Sequence, residues 1–261
     1  MSLAGRCALI TGSTQGLGLA AAEQFAAAGC HVVLNGFASA DGVAAIRGRL
    51  EDRHRVRTIY SSADLRAPDQ ITAMMAAAAA AFGAVDILIN NAVVRHAGAV
   101  ETVSTERWDE AIAVNLSAAF HTIRLAVPAM KSRNWGRIIN VSSIYGQRGA
   151  PGRVAYVTTK TALIGLTRAV ALETTGHDVT CNAVCPGTTR TPVHEATLDQ
   201  IAAREGMAPL DAERALLAGK QPTGRLIGPG RVAALMVFLC GPDGADITGA
   251  VLPVDGGWSA G

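Results

Sequence analysis

The sequence lacks most of the features that mark specialised protein classes. Its 261 residues carry a formal net charge of only +2, which gives no electrostatic basis for nucleic acid or an anionic membrane as a partner. Charged residues make up 17% and hydrophobic residues 49%, too apolar and too balanced for a disordered chain. No run of 18 apolar residues occurs, so no membrane-spanning helix is expected. The opening Met1-Ser2-Leu3-Ala4-Gly5-Arg6 has no basic segment ahead of a long apolar one. It does not read as a secretory signal, and a cytoplasmic protein is expected. The five cysteines, Cys7, Cys30, Cys181, Cys185 and Cys240, are an odd number in a large chain, which argues against a disulfide framework. Cys181 and Cys185 lie four apart in a strand-like run, a span of roughly 13 Å, too far to share a metal. Buried thiols and no metal site are the expectation.

What is present suits one large α/β domain. Short apolar runs at 7–11, 31–35, 56–61, 87–90, 137–141, 180–184 and 251–254 predict strands. Helical patterns fall between them, at 16–28, 40–52, 68–82, after Ser104, at 153–175 and at 230–240. In the helix after Ser104, Ile112, Leu116, Phe120, Ile123 and Val127 recur at steps of three and four. The strands are apolar on both faces, so their alternation with helices implies a doubly wound, seven-stranded parallel sheet with helices on both sides. No linker or repeat divides residues 1–261. Residues 192–224 break the rhythm, helical in pattern but with no strand of their own. They form either a mobile lid at the carboxyl edge of the sheet or a static packing pair.

The first strand runs into Thr11-Gly12-Ser13-Thr14-Gln15-Gly16-Leu17-Gly18. Glycines there let a backbone approach a pyrophosphate, and the helix N-terminus that follows offers free N–H groups. The spacing is Gly-x-x-x-Gly-x-Gly rather than the common dinucleotide fingerprint, and an ordinary tight turn is the alternative. The second strand ends Leu34-Asn35-Gly36-Phe37, with neither the acid that would bind a ribose 2′-OH nor a cation for a 2′-phosphate. Gln15 is no cation either, so NAD is favoured over NADP. Ala63-Asp64-Leu65 suits an adenine-edge contact, unless Asp64 caps the helix at Pro68. Tyr156 and Lys160, four apart near a helix start, share one face. A protonated Lys beside a Tyr favours the phenolate and makes the phenol a usable proton donor and acceptor for a carbonyl/alcohol pair. Ser143, thirteen residues before Tyr156 and just past strand five, can hydrogen-bond the same oxygen. Asn115 sits among apolar neighbours mid-helix, where a back-bonded polar residue is the plain alternative.

Taken in order and spacing, these pieces resemble the short-chain dehydrogenase/reductase family over essentially the whole chain. The matching pieces are the Thr11 to Gly18 turn, Asn90-Asn91-Ala92, Asn115, Ser143, Tyr156 with Lys160, and Pro186-Gly187 with Thr191. The resemblance implies a Rossmann-type fold, hydride transfer with a nicotinamide, and a homotetramer. It implies Tyr156 as general acid/base and Ser143 as the group that orients the reacting oxygen. Lys160 would lower the Tyr pKa and hold the nicotinamide ribose, Asn115 would anchor a water chain, and Pro186, Gly187, Thr188 and Thr191 would cradle the nicotinamide. The family's Gly after Asn-Asn-Ala is replaced by Val93, so a small local adjustment is expected.

Within the family, the branch that oxidises 3-hydroxybutyrate with NAD is most similar. The shared stretches include Asn115-Leu116-Ser117-Ala118-Ala119-Phe120-His121, Trp135-Gly136-Arg137-Ile138-Ile139-Asn140 and Asp255-Gly256-Gly257-Trp258. Where that branch holds its carboxylate with Gln, His, Lys and Gln, this chain has Arg95, Tyr145, Arg153 and Thr197, and Thr188 stands where a Trp is usual. His96 and Trp258 are kept. Two guanidinium forks bind carboxylate more strongly than amides, and Thr188 opens space. The expected substrate is a 3-hydroxy or 3-oxo acid that is bulkier, or that carries a second anionic or polar group. Alternatively, Arg95 or Arg153 points to solvent or a neighbouring subunit. A 3-oxoacyl-carrier-protein reductase, a polyol dehydrogenase and a catalytically silent NAD-sensing protein are the competing functions.

Overall fold

The aliphatic runs pair into one seven-stranded parallel sheet of order β3-β2-β1-β4-β5-β6-β7. The strands are β1 (Cys7–Ile10), β2 (His31–Asn35), β3 (Thr58–Ser61), β4 (Ile87–Asn90), β5 (Gly136–Val141), β6 (Val179–Pro186) and β7 (Val251–Val254). This computed structural model describes residues 3–261, so Met1 and Ser2 of the signal-sequence reading lie outside the described residues. The helices are α1 (Gly16–Ala27), α2 (Ala40–His54), α3 (Pro68–Phe82), α4 (Thr105–Ile112), α5 (Ala118–Ser132), α6 (Val154–Glu173), α7 (Pro192–Glu205), α8 (Pro209–Leu217) and α9 (Pro229–Cys240). The central strands are fully buried, as strands covered on both faces must be. One apolar layer joins α1 and α9 to the sheet through Phe25, Leu34, Ile89 and Met236. The other joins α3, α5 and α6 through Ile71, Leu88, Met130 and Ile138. All five cysteines are free and buried. Burial pushes the Cys30 and Cys181 thiols up to about 12, which keeps them inert near neutral pH.

The helix after Ser104 departs from expectation. Ser104 caps it by accepting from the Arg107 N–H, and the helix continues to Ser132 with one wide π-turn, Ala113–Ser117, between α4 and α5. The buried positions are Ala111, Asn115, Ala118, Ala119, Thr122, Ile123, Ala126 and Met130, so small residues face the interior. Of the expected stripe only Ile123 is fully buried, and Phe120 points outward. The π-turn inserts a residue and shifts the phase that a constant 3.6-residue period assumes. By length and composition this stretch, Thr105–Ser132, could cross a membrane, which a count of consecutive apolar residues does not flag. Its inner face packs against the sheet within the second layer.

Two polar devices tie the layers. In the interior, Asn90 Nδ2 donates to Asn140 Oδ1 at 2.9 Å, Thr122 Oγ1 of α5 donates to Asn90 Oδ1, and Asn140 Nδ2 donates to Thr167 Oγ1 of α6. At the amino edge of the sheet, Asp86 accepts from the Cys7 N–H at 2.9 Å and pairs with Arg133 at 3.1 Å and Arg6 at 3.5 Å. The guanidinium groups of Arg6 and Arg137 lie over the Trp135 ring, 3.8 and 4.6 Å from its centroid. Replacing Asp86 by Ala strands a buried N–H and two cations, and should cost about 2–3 kcal/mol in denaturant unfolding. Because Asp86 sits at the edge opposite the loops described next, ligand affinity of the folded protein should be unaltered in the same variant.

Candidate active site

The strand order reverses beside β1, where β2 lies on one side and β4 on the other. Chains leaving β1 and β4 there diverge and leave a crevice at the carboxyl edge. The two loops are pinned across it by side chains. Thr11 Oγ1 accepts from the N–H groups of Asn91 and Ala92 at 2.9 and 3.0 Å. Asn91 Nδ2 donates to the carbonyls of Thr11 and Gly12 at 2.9 and 3.1 Å. The approach is so close that a Cβ on Gly12 would stand 2.9 Å from Ala92 Cα, and one on Gly18 would stand 2.1 Å from the Gly12 carbonyl oxygen. Gly12 and Gly16 both have positive φ, +64° and +56°, which glycine alone adopts freely. Gln15 precedes α1 without a side-chain cap hydrogen bond, so among the described residues the cap position satisfies none of the first-turn N–H groups. Val93 is half-buried with an ordinary negative φ, so the backbone there does not demand the missing glycine.

The end of β2 closes the crevice on one side. Asn35 is buried and uses its amide internally, accepting from the Gly12 N–H and donating to the Ser61 and Ala63 carbonyls. Gly36 crowds Thr14, whose Oγ1 would stand 2.8 Å from an added Cβ, and Phe37 is exposed. Ala63 and Leu65 are buried, but Asp64 points to Arg66 at 2.6 Å. Asp64 does not cap α3, whose cap residue is Ala67 with no side-chain bond. On the other side, the loop after β6 folds down. The Gly187 N–H donates to the Val254 carbonyl and the Thr188 N–H to Gln221 Oε1 at 2.5 Å. Thr191 places its methyl 3.5 Å from where a Cβ of Gly16 would be, so the first and last segments of the crevice meet. Leu17, half-buried, lies in the first turn of α1 beneath them.

The remaining candidates converge at the start of α6. Tyr156 is almost wholly buried, and its ring has Lys160 Nζ at 5.8 Å and the Arg95 guanidinium at 5.7 Å from its centroid. Tyr145 meets it edge-on at 6.3 Å and meets Trp258 at 5.2 Å. Ser143 caps the short turn that carries Tyr145, its Oγ accepting from the Tyr145 N–H. Arg153 immediately precedes α6 and pairs through its backbone with Gly98, which stitches the Arg95 loop to the Tyr156 helix. Asn115, in the π-turn, accepts from the Val94 N–H at 2.8 Å and donates to the Val94 carbonyl and to Thr159 Oγ1. It therefore fixes the segment bearing Arg95 against α6 rather than bonding back along its own helix. Trp258 is presented by a turn that Asp255 holds, accepting from the Gly257 and Ser259 N–H groups. Thr197 stays on the surface, bonded to the Val193 carbonyl, and His96 pairs with Glu110 at 2.8 Å.

The sequence reading took Thr11 only as the start of the glycine turn and gave Gln221 and His194 no role. Thr11 and Gln221 act with their side chains on backbone groups, a role no motif advertises. His194 stands in the first turn of α7, with Nδ1 against the Thr189 carbonyl at 2.7 Å. Burial, and then the charges of Arg95, Lys220 and Arg153, hold its imidazole below the usual value, so it is neutral at neutral pH. Among the described residues no group of His, Cys, Asp and Glu side chains could hold a metal.

Lys160 is fully enclosed, and its Nζ donates to the Val141 carbonyl at 2.7 Å. Burial, reinforced by the charge of Arg95, pulls its ammonium from 10.5 down to about 7. The unfolded chain therefore binds the extra proton across that interval, and the folded protein gains stability as pH rises through it. Lys160→Met should be more stable than the parent near pH 7. That advantage should shrink by about 2 kcal/mol toward pH 9 in denaturant titrations.

With this geometry in place, the chain matches the family model described as short chain dehydrogenase over residues 6–202. It is 43% identical to a D-beta-hydroxybutyrate dehydrogenase of Cupriavidus necator over 258 residues, covering 99% of each chain. A second D-beta-hydroxybutyrate dehydrogenase, from Rhizobium meliloti, is 42% identical over 98% of this chain and 99% of its own. The L-sorbose reductase of Gluconobacter frateurii, solved with NADPH and L-sorbose, superposes with a TM-score of 0.93 at 29% identity, covering 99% of this chain and 98% of that one. The parallel sheet, the glycine-lined crevice and this near full-length similarity together place the chain in the short-chain dehydrogenase/reductase family of oxidoreductases.

Proposed function

We propose that the protein is an NAD-dependent dehydrogenase of 3-hydroxy acids. The observation that carries this reading is one nearly buried phenol, Tyr156, with Lys160 Nζ and the Arg95 guanidinium 5.8 and 5.7 Å from its ring centroid, at the carboxyl edge of the sheet. Near full-length similarity to hydroxybutyrate dehydrogenases supports the substrate class.

The crevice fits a dinucleotide. Gly12, Gly16 and Gly18 leave a cradle that a Cβ would fill, and the uncapped N-terminus of α1 suits a pyrophosphate. Asn91, Ala92 and Val93 line one wall, and Pro186, Gly187, Thr188 and Thr191 the other. Gly36, Phe37, Ala63, Asp64 and Leu65 sit where the adenosine end belongs. No Arg or Lys falls within residues 11–18 or 34–39, and Asn35 is consumed internally, which favours NAD over its phosphorylated form. When bound, the nicotinamide supplies the hydride acceptor.

The chain's own residues handle the proton. Tyr156 takes the hydroxyl proton as the alcohol becomes a ketone and returns it in reduction. The Arg95 guanidinium and Lys160 Nζ lie over its ring, 5.7 and 5.8 Å from the centroid. Ser143 holds the same oxygen in line, and Asn115 keeps the Arg95 segment in register with α6. Tyr145, Thr188 and Trp258 wall the substrate, and Arg153 offers a guanidinium to its carboxylate. Residues 192–224 act as a lid. Their apolar contacts are largely their own, centred on Leu198, Ala212 and Leu217, and a left-handed Gly206 joins the two helices. Phe120 and Leu172, exposed on α5 and α6, suit a homotetramer interface.

Tyr156→Phe should lower kcat at least about 100-fold for 3-hydroxybutyrate oxidation while NAD still raises the melting temperature. In the parent, kcat/KM with NAD should exceed that with NADP by about tenfold or more. Light scattering should give the mass of four chains. Protease cleavage within 192–224 should slow only when NAD and the acid are both present.

A further inference from the structure

The ladder between β6 and β7 ends at the pair of Pro186 and Val254, and one further bond follows it, from the Gly187 N–H to the Val254 carbonyl. Thr188 lies beyond the sheet, yet both of its backbone groups are held. Gln221 Oε1 accepts from the Thr188 N–H at 2.5 Å. Gln221 Nε2 donates to the Arg225 carbonyl at 2.8 Å and to the Thr188 carbonyl at 3.4 Å. The Ile227 N–H also donates to the Thr188 carbonyl, and the Arg190 N–H donates to the Ile227 carbonyl. Residues 188–190 and 225–227 thus run side by side as a short parallel ribbon, bridged at Thr189 and Ile227. Glu213 ties the same two segments a second time, accepting from the Leu226 N–H and pairing with Arg190 at 2.8 Å.

Gln221 is only 2% exposed, so water cannot replace the bonds of its amide. The amide is used in one orientation, its acceptor towards an N–H and its donor towards two carbonyls. It is also wedged. A Cβ on Gly187 would stand 2.6 Å from Gln221 Oε1 and 3.0 Å from Asp255 Cα, and one on Gly256 would stand 3.1 Å from Gln221 Cγ. One side chain at the far end of the 192–224 segment therefore sits between the β6 loop and the turn that presents Trp258.

Resting on the reading that Pro186, Gly187, Thr188 and Thr191 cradle the nicotinamide of NAD, we propose that Gln221 is the positioning residue of that cradle. It acts through Thr188 rather than on the reacting atoms, and it fixes the loop before the cofactor arrives. The nicotinamide then enters a loop that is already ordered, and no ordering cost is set against its binding. The ring also keeps its place relative to the carbinol carbon, on which hydride transfer depends steeply.

The test compares NADH with ADP-ribose, which keeps the adenosine and pyrophosphate and lacks the nicotinamide, in the parent and in Gln221→Met. By calorimetry NADH should bind about tenfold more weakly to the variant, while ADP-ribose binds within about twofold of the parent. With NAD, kcat for 3-hydroxybutyrate should fall about tenfold or more. Gln221→Glu keeps the acceptor for the Thr188 N–H and loses both donations, and should show the same split at about threefold. A readout that needs no variant is amide hydrogen exchange. In the parent without cofactor the Thr188 and Arg190 amides should already exchange slowly, and NADH should slow them further by less than about twofold. Equal weakening of NADH and ADP-ribose, NADH binding and kcat unchanged in both variants, or a loop that exchanges freely until NADH is added each overturns the inference while leaving the hydroxy-acid reading intact. A parent that binds NADH but oxidises no 3-hydroxy acid overturns that reading, and the binding split then decides the inference by itself. No binding of NADH by the parent overturns both.

Discussion

The clamp between Thr11 and Asn91 is the constraint from which the site follows. One hydroxyl accepts from two backbone N–H groups of the opposite loop, and one amide returns two bonds to the first loop. Parallel strands alone would let these loops splay, because their hydrogen bonds end with the strands. The clamp draws them to within a Cβ of each other, and the glycines of the turn are its consequence. Thr191 then seats against the same turn and brings the β6 loop into register. The crevice is thus built from three loops whose positions are interdependent, and little of its shape rests on long flexible side chains.

The two edges of the sheet treat charge differently. At the amino edge, Asp86 and Asp178 sit among arginines, with bonds of 3.1 Å or less to Arg133 and Arg137. At the carboxyl edge, among the described residues, Arg95 and Arg153 have no carboxylate within ion-pair distance, and Lys160 Nζ is held by a single carbonyl. Paired charge specifies the fold at modest net gain, and unpaired charge in a half-enclosed space is stabilised only when an anion arrives. Stability and recognition are therefore assigned to opposite ends of the same strands.

Much of this was legible in sequence. Five of the seven strands begin and end within one residue of the apolar runs, because a strand covered on both faces must be continuously apolar. Tyr156 and Lys160 lie in the first two turns of α6, Ser143 just past β5 and Asn115 in the π-turn, and the strand–helix alternation brings these segments to one region. Other features were hidden for stated reasons. The inner face of the α4–α5 helix is made of alanines, which carry little periodic signal, and the π-turn breaks the period that would have located it. His194 joins the site from a segment distant in the chain, and no local pattern foretells convergence across a sheet edge. Asp64 looked like a ligand or a cap, and its neighbour Arg66 took it.

The π-turn at Ala113–Ser117 has a consequence for how such chains vary. It is one residue wider than an α-turn, and Asn115 within it reaches both backbone atoms of Val94. An α-helix advances about 100° per residue, so a helix shortened by one residue here would turn the Asn115 amide away from the loop. Side chains before and after the turn can drift by substitution, because their inner positions need only be small. The length of the helix cannot drift. In this part of the molecule the reading frame of the fold is fixed by a count of residues, more strictly than by their identities.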